Sequence, residues 1–289
     1  MPWRMPCAFE ARVTQGPSLG SSLSPGWQGW LQDSLTTRRE QHLLRVKRPM
    51  QSPQGPQVRV DGCWLHNFCS NDYLGLANEP VLAETLASAA RSMGVGAGAA
   101  GLVCGHHQAH EALAEELADW LGVESVLLFG NGYLANVGVL QALVTKGDGI
   151  FQDRLNHASL LDGGLASGAR HQRYGHADAA DLARRLGADV SRRRLIVSDG
   201  VFSMDGDLAP LSELVACARQ HDALLMLDEA HAFGVLGEQG RGSVAHFGLA
   251  TDAVPLRIGT LGKAFGVYGA FAAGPKLLME VLQQTARTA

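Results

Sequence analysis

Apolar residues follow two different spacings along this chain. In HEALAEELADWLG (residues 110–122), Leu113, Leu117, Trp120 and Leu121 are three or four positions apart, which is typical of one face of an amphipathic helix. Between such stretches lie short, nearly continuous apolar runs that indicate buried strands. We predict strands in SVLLFG (125–130), GIFQD (149–153), RRLIVSDG (193–200), ALLMLDEAH (223–231) and VPLRIGTLG (254–262).

Helical patterns separate these runs. We predict helices over residues 81–93, in NVGVLQALV (136–144), in HASLLDGGLA (157–166) and in LSELVACARQH (211–221). Buried strands that alternate with helices require crossover connections, and these produce a mostly parallel sheet with helices on both faces. The sequence therefore predicts an α/β fold.

Polar residues follow three of the predicted strands. In sheets of this kind, ligands bind where the carboxyl ends of strands meet loops. The residues found there are Asp199 and Ser203 after one strand, Asp228 and His231 after the next, and Thr260 and Lys263 after the last. We expect a functional site at this edge.

The charge and cysteine content exclude several classes of function. The net charge is −4, and the 24 Lys and Arg residues are scattered, which argues against nucleic-acid binding and against a polybasic membrane patch. The 5 cysteines form no C-x-x-C pair, as is typical of a reduced cytoplasmic protein without a zinc site. No apolar run approaches the roughly 20 residues of a membrane helix.

The DEAH sequence at residues 228–231 first suggests a nucleotide-hydrolysing enzyme. That chemistry requires a G-x-x-x-x-G-K-[ST] loop to bind phosphates. Around Lys263, Arg257 stands where the first glycine is required, and Ala264 replaces the serine or threonine. We therefore reject nucleotide hydrolysis.

Two other motifs carry little weight. Gly96-x-Gly98-x-x-Gly101 has the spacing of a dinucleotide-binding loop, but it follows a predicted helix instead of a strand. The histidines of GHHQAHEA (105–112) have no H-E-x-x-H spacing and no cysteine partner, so we expect no metal site.

The remaining polar residues suit one cofactor. A lone Lys263 beside a strand end becomes a nucleophilic amine if burial removes its charge. Asp228 ends an apolar strand, where a carboxylate needs a cationic partner, and His157 and His231 supply imidazoles. Pyridoxal 5'-phosphate (PLP) requires such a set. Its phosphate would bind at the helix start in NGYLAN (131–136).

Each of these residues also has an ordinary structural interpretation. His157 fits a residue at a helix start, Asp228 a cap at a strand end, and Ser203 a turn. The spacing by itself leaves both interpretations open.

Five longer motifs bring in a family resemblance. They are NDYLGLA (71–77), DRLNHASLLDG (153–163), SDGVFSMDGDLAPL (198–211), LDEAHAFGVLGEQGRG (227–242) and GTLGKAFGVYG (259–269). Together they resemble the α-oxoamine synthases, fold-type-I PLP enzymes that condense an amino acid with an acyl thioester. The likeness runs from about residue 38 to the end of the chain. It implies an aspartate-aminotransferase-like major domain and a homodimer.

The resemblance also implies residue roles. Lys263 would bind the cofactor covalently and act in catalysis, Asp228 would pair with the pyridinium nitrogen, and His231 would bond the ring oxygen. His157 would stack on the ring and face the substrate. Other implied contacts are Gly132, Tyr133 and Thr260 at the phosphate, Ser203 beside the cofactor, and Arg45 near the acyl substrate.

The motifs most resemble the branch that joins L-alanine to a pimeloyl thioester, of CoA or acyl carrier protein, in biotin biosynthesis. The branch that uses glycine and an acetyl thioester stays open. So does a catalytically incomplete chain that only binds or dimerises.

The sequence predicts four segments. Residues 1–35 are rich in Gly, Ser and Pro and are expected to be a disordered extension. Residues 36–80 form an N-terminal arm, 81–274 the PLP-binding domain, and 275–289 a linker helix towards a largely absent C-terminal domain. The resemblance places an arginine for the amino-acid carboxylate in that part, so we expect weak catalysis or none.

Overall fold

The computed structural model describes residues 22–289. Contacts divide the described residues into two compact units, 22–50 and 51–289. Helix α1 spans Pro25–Glu40 of the first unit, so the predicted disorder is wrong from Pro25 onward, while residues 1–21 lie outside the described part. Pro25 occupies the first turn, where its fixed φ favours a helix. The rings of Trp27 and Trp30, three positions apart, lie edge to face at 5.6 Å.

The second unit contains the other helices. They are α2 Pro80–Met93, α3 Gln108–Leu121, α4 Gly132–Leu143, α5 Ala158–Ala166, α6 Ala179–Gly187, α7 Leu211–Gln220, α8 Ser243–His246 and α9 Lys276–Thr285. The strands are β1 Gln57–Val60, β2 Cys63–His66, β3 Ser125–Phe129, β4 Gly149–Asp153, β5 Arg170–Tyr174, β6 Arg194–Asp199, β7 Ala223–Asp228, β8 Leu256–Thr260 and β9 Ala270–Gly274.

Within residues 51–289, strands β3 to β9 form one seven-stranded sheet in the order β3-β9-β8-β7-β6-β4-β5. The pairs from β5 to β8 are parallel, and β9 is antiparallel to both neighbours. The predicted mostly parallel sheet is confirmed. Strands β1 and β2 form a separate antiparallel hairpin.

Alternate residues of the strands enter two cores, one on each face of the sheet. Ile150, Leu195 and Met226 pack with α4, α5 and α9. Their neighbours in sequence, such as Phe151 and Ile196, pack on the opposite face with α6 and α7. This division follows from the two-residue period of a strand and explains why the strand sequences are apolar throughout.

Several elements were absent from the sequence predictions. Strand β5 lies at one edge of the sheet, and its sequence RHQRY carries no apolar run. Strand β9 reads AFAAG, in which small residues give little strand signal although the whole strand is buried. These two segments form strands because of tertiary packing and not because of their local sequence.

Helix α9 packs against the sheet. Met279 and Leu282 are buried in the same core as α4, whereas Leu277 is 74% exposed. The last helix therefore contributes to the unit that contains the sheet. The predicted domain boundaries stay predictions.

None of the helices in the described residues combines the length and apolar content that crossing a membrane requires.

Replacing Leu282 by alanine should lower the free energy of unfolding by about 2–5 kcal/mol, since it removes a fully buried side chain. Leu277→Ala is the matched control on the same helix and should change it by less than about 0.5 kcal/mol. Urea denaturation measures both. Equal, small effects would show that α9 is an unpacked linker.

Candidate active site

Three parallel strands bring the predicted polar residues to one edge. In the sheet register, Asp199 of β6 lies opposite Asp228 of β7, and Asp228 lies opposite Ile258 of β8. Thr260 ends β8 two residues later. The carboxyl ends of these strands therefore converge as the sequence predicts.

Lys263 lies in a tight turn that directly follows β8. The Thr260 hydroxyl accepts a hydrogen bond from the Gly262 amide at 3.2 Å and donates to the Gly269 carbonyl at 3.2 Å. The Gly266 amide donates to the Lys263 carbonyl at 3.0 Å. Gly266 has φ +69°, a conformation that favours glycine. The turn thus holds the lysine backbone on both sides.

The amine of Lys263 is partly withdrawn from water. Its Nζ lies 2.7 Å from Nε2 of His231. Burial lowers the pKa of Lys263, and the nearby carboxylates Asp228 and Asp199 oppose this shift only in part. At a given pH, a larger fraction of this amine is therefore in the neutral, nucleophilic form than in an ordinary lysine.

His231 links Lys263 to Tyr73. The Tyr73 hydroxyl lies 2.6 Å from Nδ1 of His231. Burial, followed by the charge of Lys263, lowers the pKa of His231 to about 4. The imidazole is therefore neutral at pH 7. It carries one N–H and can relay a proton between its two partners.

Asp228 is a buried carboxylate that ends β7. Its Oδ2 accepts a hydrogen bond from Nδ2 of Asn136 at 2.6 Å, and its Oδ1 accepts one from the Ala230 amide at 2.9 Å. Within residues 22–289 it forms no ion pair. Two donors fix its position. A buried carboxylate that has hydrogen bonds but no ion pair is stabilised further when a cationic group of a ligand binds beside it.

Asn136 connects Asp228 to His157. The same Nδ2 donates to the Ser159 hydroxyl at 2.9 Å, and that hydroxyl lies 2.7 Å from Nδ1 of His157. Asn136 and Ser159 are buried, whereas His157 is exposed at the start of α5. The network holds the imidazole through its Nδ1 atom and leaves the exposed ring accessible to a ligand.

Asp199 shares this edge of the sheet. Its Oδ2 accepts a hydrogen bond from the His157 amide at 2.7 Å. Burial, followed by the charge of Asp228, raises the pKa of Asp199 to about 8. Two carboxylates this close in a buried site do not ionise together easily.

The start of α4 meets the end of β8. Asn131 caps the helix by accepting a hydrogen bond from the Leu134 amide at 2.9 Å. A Cβ atom added at Gly132 would lie 3.7 Å from Cβ of Thr260. The first amides of a helix have no partner within it and attract anions, so this junction suits a phosphate. The Tyr133 hydroxyl donates to Asp162 at 2.6 Å.

Ser203 is exposed in a loop after β6. With Tyr73 and His231 it lines a cavity of about 350 Å³. Arg45 is exposed and belongs to the N-terminal unit, so its predicted contact with the acyl substrate stays a prediction.

Glu229, the second residue of DEAH, supports the fold instead of a nucleotide. It is fully buried, and its Oε2 accepts hydrogen bonds from the Ser243 hydroxyl at 2.6 Å and from the Ser243 amide at 3.0 Å. This contact fixes the start of α8. The described residues contain no group of three or more His, Cys, Asp or Glu placed to hold a metal ion.

Sequence reasoning missed Asn136, Ser159 and Tyr73. Asn136 interrupts the apolar face of α4 between Ala135 and Val139, and a polar residue at a core position was the available signal. Ser159 gave the same signal in α5. Tyr73 gave none, because its partner is distant in sequence.

Comparisons with known proteins agree with this geometry. The aminotransferase class I and II family matches residues 65–289. An 8-amino-7-oxononanoate synthase of Nitrosococcus oceani is 55% identical over 254 residues, which cover 88% of this chain and 67% of that protein. Its counterpart in Methylococcus capsulatus is 56% identical over 244 residues, which cover 84% and 63%.

A solved structure of S. paucimobilis serine palmitoyltransferase, with a bound PLP–myriocin compound, matches at a TM-score of 0.83 and 27% identity. The match covers 91% of this chain and 69% of that chain. The α/β fold and the motif resemblance are thereby confirmed. The chain spans about two thirds of the length of these proteins.

We predict that Lys263 reacts with acetic anhydride at lower pH than an ordinary lysine, because burial lowers its pKa. Competitive labelling followed by mass spectrometry measures this, with the exposed Lys276 as the internal reference. Asp228→Asn should move the Lys263 midpoint lower still, since the carboxylate favours the ammonium form. A midpoint that matches Lys276, or one that rises in Asp228→Asn, would contradict this account.

Asp199→Asn should stabilise the protein at high pH. The folded pKa of about 8 exceeds the ordinary value of 3.8, so stability is complete below about pH 4 and is lost as pH rises through 8. The variant should match the unsubstituted chain at pH 4 and exceed it at pH 9 by up to about 6 kcal/mol, since each unit between 3.8 and about 8 corresponds to about 1.4 kcal/mol. Urea denaturation at both pH values tests this. The exposed Asp252→Asn is the control, and equal effects of the two variants would contradict the prediction.

Proposed function

The chain belongs to the aminotransferase class I and II family, and from this premise we propose that it is a PLP-dependent acyltransferase. The proposed reaction condenses L-alanine with a pimeloyl thioester, with loss of carbon dioxide, to 8-amino-7-oxononanoate. The observation that carries the proposal is that a desolvated amine, Lys263, lies at the same edge of the sheet as a buried carboxylate, Asp228, which has hydrogen-bond donors but no ion pair in the described residues.

The residues present fit PLP. The pyridinium nitrogen is the cation that Asp228 lacks, and Lys263 is the amine for the aldehyde. The junction of Gly132 with Thr260 offers helix amides for the phosphate. His157 is exposed towards this edge and can lie on the ring, while His231 and Ser203 line the cavity beside it. When bound, PLP supplies an electron sink that stabilises charge at the amino-acid Cα.

The protein's own groups then handle protons and orientation. Lys263 Nζ is the base that removes the proton from Cα of the substrate and returns one to the product carbon. Its lowered pKa makes the neutral amine, which is the form that accepts a proton, more available than in an ordinary lysine. Asp228 keeps the pyridine nitrogen protonated, and Asn136 holds Asp228 in place. His231 is neutral, so its N–H would donate a hydrogen bond to the ring oxygen without adding charge.

The choice of substrates rests on the relatives. Those at 55% and 56% identity are both named 8-amino-7-oxononanoate synthase. We infer from this the use of L-alanine and a pimeloyl group, on CoA or acyl carrier protein, in biotin biosynthesis. A cytoplasmic homodimer belongs to the same proposal, and so does contact between Arg45 and the acyl group. The chain spans about two thirds of the length of its relatives, and full turnover is therefore proposed for the whole protein.

Two measurements, made one after the other, test the proposal. Incubation of the chain with PLP and L-alanine in D₂O should exchange the Cα hydrogen, as NMR detects. Lys263→Ala should slow the exchange by about 10²–10⁴-fold, the usual contribution of a positioned base. Lys276→Ala is the matched control and should leave it unchanged. Exchange that survives in Lys263→Ala would contradict the assigned base.

Pimeloyl-CoA is then added, and the amino-ketone product and free CoA are measured. More product from glycine with acetyl-CoA would indicate glycine C-acetyltransferase instead. Exchange of the Cα hydrogen without any condensation would limit the chain to the amino-acid half of the reaction.

A further inference from the structure

We propose that His176 is a positioning residue for the site, in a role that rests on the proposed function. Its imidazole joins Asp153 to Asp207 and thereby holds the loop that forms most of the cavity wall beside His231. Neither the family motifs nor the sequence reasoning assigned His176 a part. It lies between β5 and α6, outside the network of Lys263 and Asp228.

Both nitrogens of His176 contact carboxylates. Nδ1 lies 3.0 Å from Oδ1 of Asp153, and Nε2 lies 2.8 Å from Oδ2 of Asp207. The Asp153 side chain is 1% exposed, whereas that of Asp207 is 42% exposed. Only the imidazolium donates from both nitrogens, because the neutral ring carries a single N–H. Protonation therefore decides whether one or both carboxylates are held.

Asp153 fixes the His176 side of this bridge. Its Oδ2 accepts a hydrogen bond from the Ala177 amide at 2.8 Å, and Ala177 has φ +50°, which is unusual for a residue other than glycine. Asp153 itself ends β4. The sheet thus anchors the imidazole through a buried carboxylate and a constrained backbone.

Asp207 belongs to the Val201–Leu208 loop, the segment that leaves β6 and returns through a bridge between Val201 and Leu208. The Phe202 amide donates to the Asp207 carbonyl at 2.9 Å, and the Gly206 amide donates to the Phe202 carbonyl at 2.8 Å. The ring of His176 also lies edge-on to Phe202, with centroids 4.5 Å apart. His176 therefore contacts the loop at two points.

The Val201–Leu208 loop forms much of the wall of the 350 Å³ cavity. It supplies Val201, Phe202, Ser203, Gly206 and Leu208, and the remaining wall consists of Tyr73, His231, Val235 and Leu236. His231 is the residue that contacts Lys263. Movement of the loop would therefore change the shape of the site next to the reactive amine and displace Ser203, the predicted neighbour of the cofactor.

The charges around His176 determine the pH range. Burial lowers the pKa of His176, but the hydrogen bonds to Asp153 and Asp207 outweigh burial and hold it above the ordinary value of 6.5. The two contacts of His176, with Asp153 and with Asp207, form what we call the clamp. Both are therefore complete below about pH 6.5, and one is lost as pH rises through the raised pKa of His176.

Other ionisable groups lie on the neighbouring elements. On β5, Tyr174 is buried with its pKa raised above the usual range, and Arg173 donates to the Arg154 carbonyl. Near the start of α6, Asp178 and Asp181 accept backbone hydrogen bonds from Asp181 and Gly175. Asp199 lies two residues before the loop, and burial, followed by the charge of Asp228, raises its pKa to about 8, so its titration competes with that of His176 as an explanation for a change in this range.

Hydrogen exchange of the chain without cofactor tests the clamp. Protection factors of the Phe202 and Gly206 amides, corrected for the intrinsic rate, should fall about tenfold between pH 6 and pH 9, the loss expected when one hydrogen bond to a charged group is broken. In His176→Gln, which has no titrating ring, protection should already be low at pH 6 and should not vary with pH. His246→Gln replaces an exposed histidine on α8 and should behave like the unsubstituted chain.

Asp199→Asn separates the two titrating groups. If His176 is the switch, this variant keeps the pH dependence of loop protection. If Asp199→Asn abolishes it while His176→Gln retains it, the proposal is overturned. Identical pH profiles in the unsubstituted chain and His176→Gln overturn it as well.

Binding of PLP, followed by its absorbance, tests the effect on the site. His176→Gln should raise the Kd for PLP about tenfold at pH 6.5, the effect of losing one hydrogen bond to a charged group, and the ratio of the two Kd values should approach one at pH 9, where the unsubstituted chain has also lost the His176–Asp207 contact. A ratio that is the same at both pH values would mean a purely structural role and overturn the proposal. Failure of the unsubstituted chain to bind PLP would count against the proposed function, while exchange would still decide whether His176 holds the loop.

Discussion

The Asp228 carboxylate, buried at the end of a central strand, is the constraint on which the rest of this site depends. A negative charge away from water is costly, and Asp228 is held there by two hydrogen-bond donors without an ion pair in the described residues. Asn136 of α4 is one of those donors, and through Ser159 it also determines where His157 lies. Burial, followed by this charge, raises the pKa of Asp199, and the same charge opposes the lowering of the Lys263 pKa that burial causes.

The parallel sheet makes this arrangement possible. Because β6, β7 and β8 run in the same direction, their ends bring together residues that are far apart in sequence. Asp199, Asp228 and Thr260 reach one edge through register alone, and the glycine-rich turn after β8 adds Lys263. The chemistry is then set by burial: the amine loses its charge more readily, and His231 stays neutral.

Much of this was predictable from the sequence. The long apolar strands of the centre gave the sheet, and the polar residues at their ends gave the edge where Lys263 and Asp228 meet. Strand β5 and helix α1 were not predicted, because an edge strand is polar and a helix with no buried residue has no apolar period to detect. Tyr73 and Asn136 were missed for another reason. Their roles depend on side chains 158 and 92 positions away, and no local pattern records those contacts.

We propose that the amine of Lys263 and the carboxylate of Asp228 form a PLP site. The decisive experiment is to incubate the chain with PLP, reduce it with borohydride and map the labelled peptide by mass spectrometry. We expect one phosphopyridoxyl adduct, on Lys263, with lower yield in Asp228→Asn because the cofactor loses its charged partner. Labelling spread over exposed lysines such as Lys276, or no stable adduct at all, would contradict it.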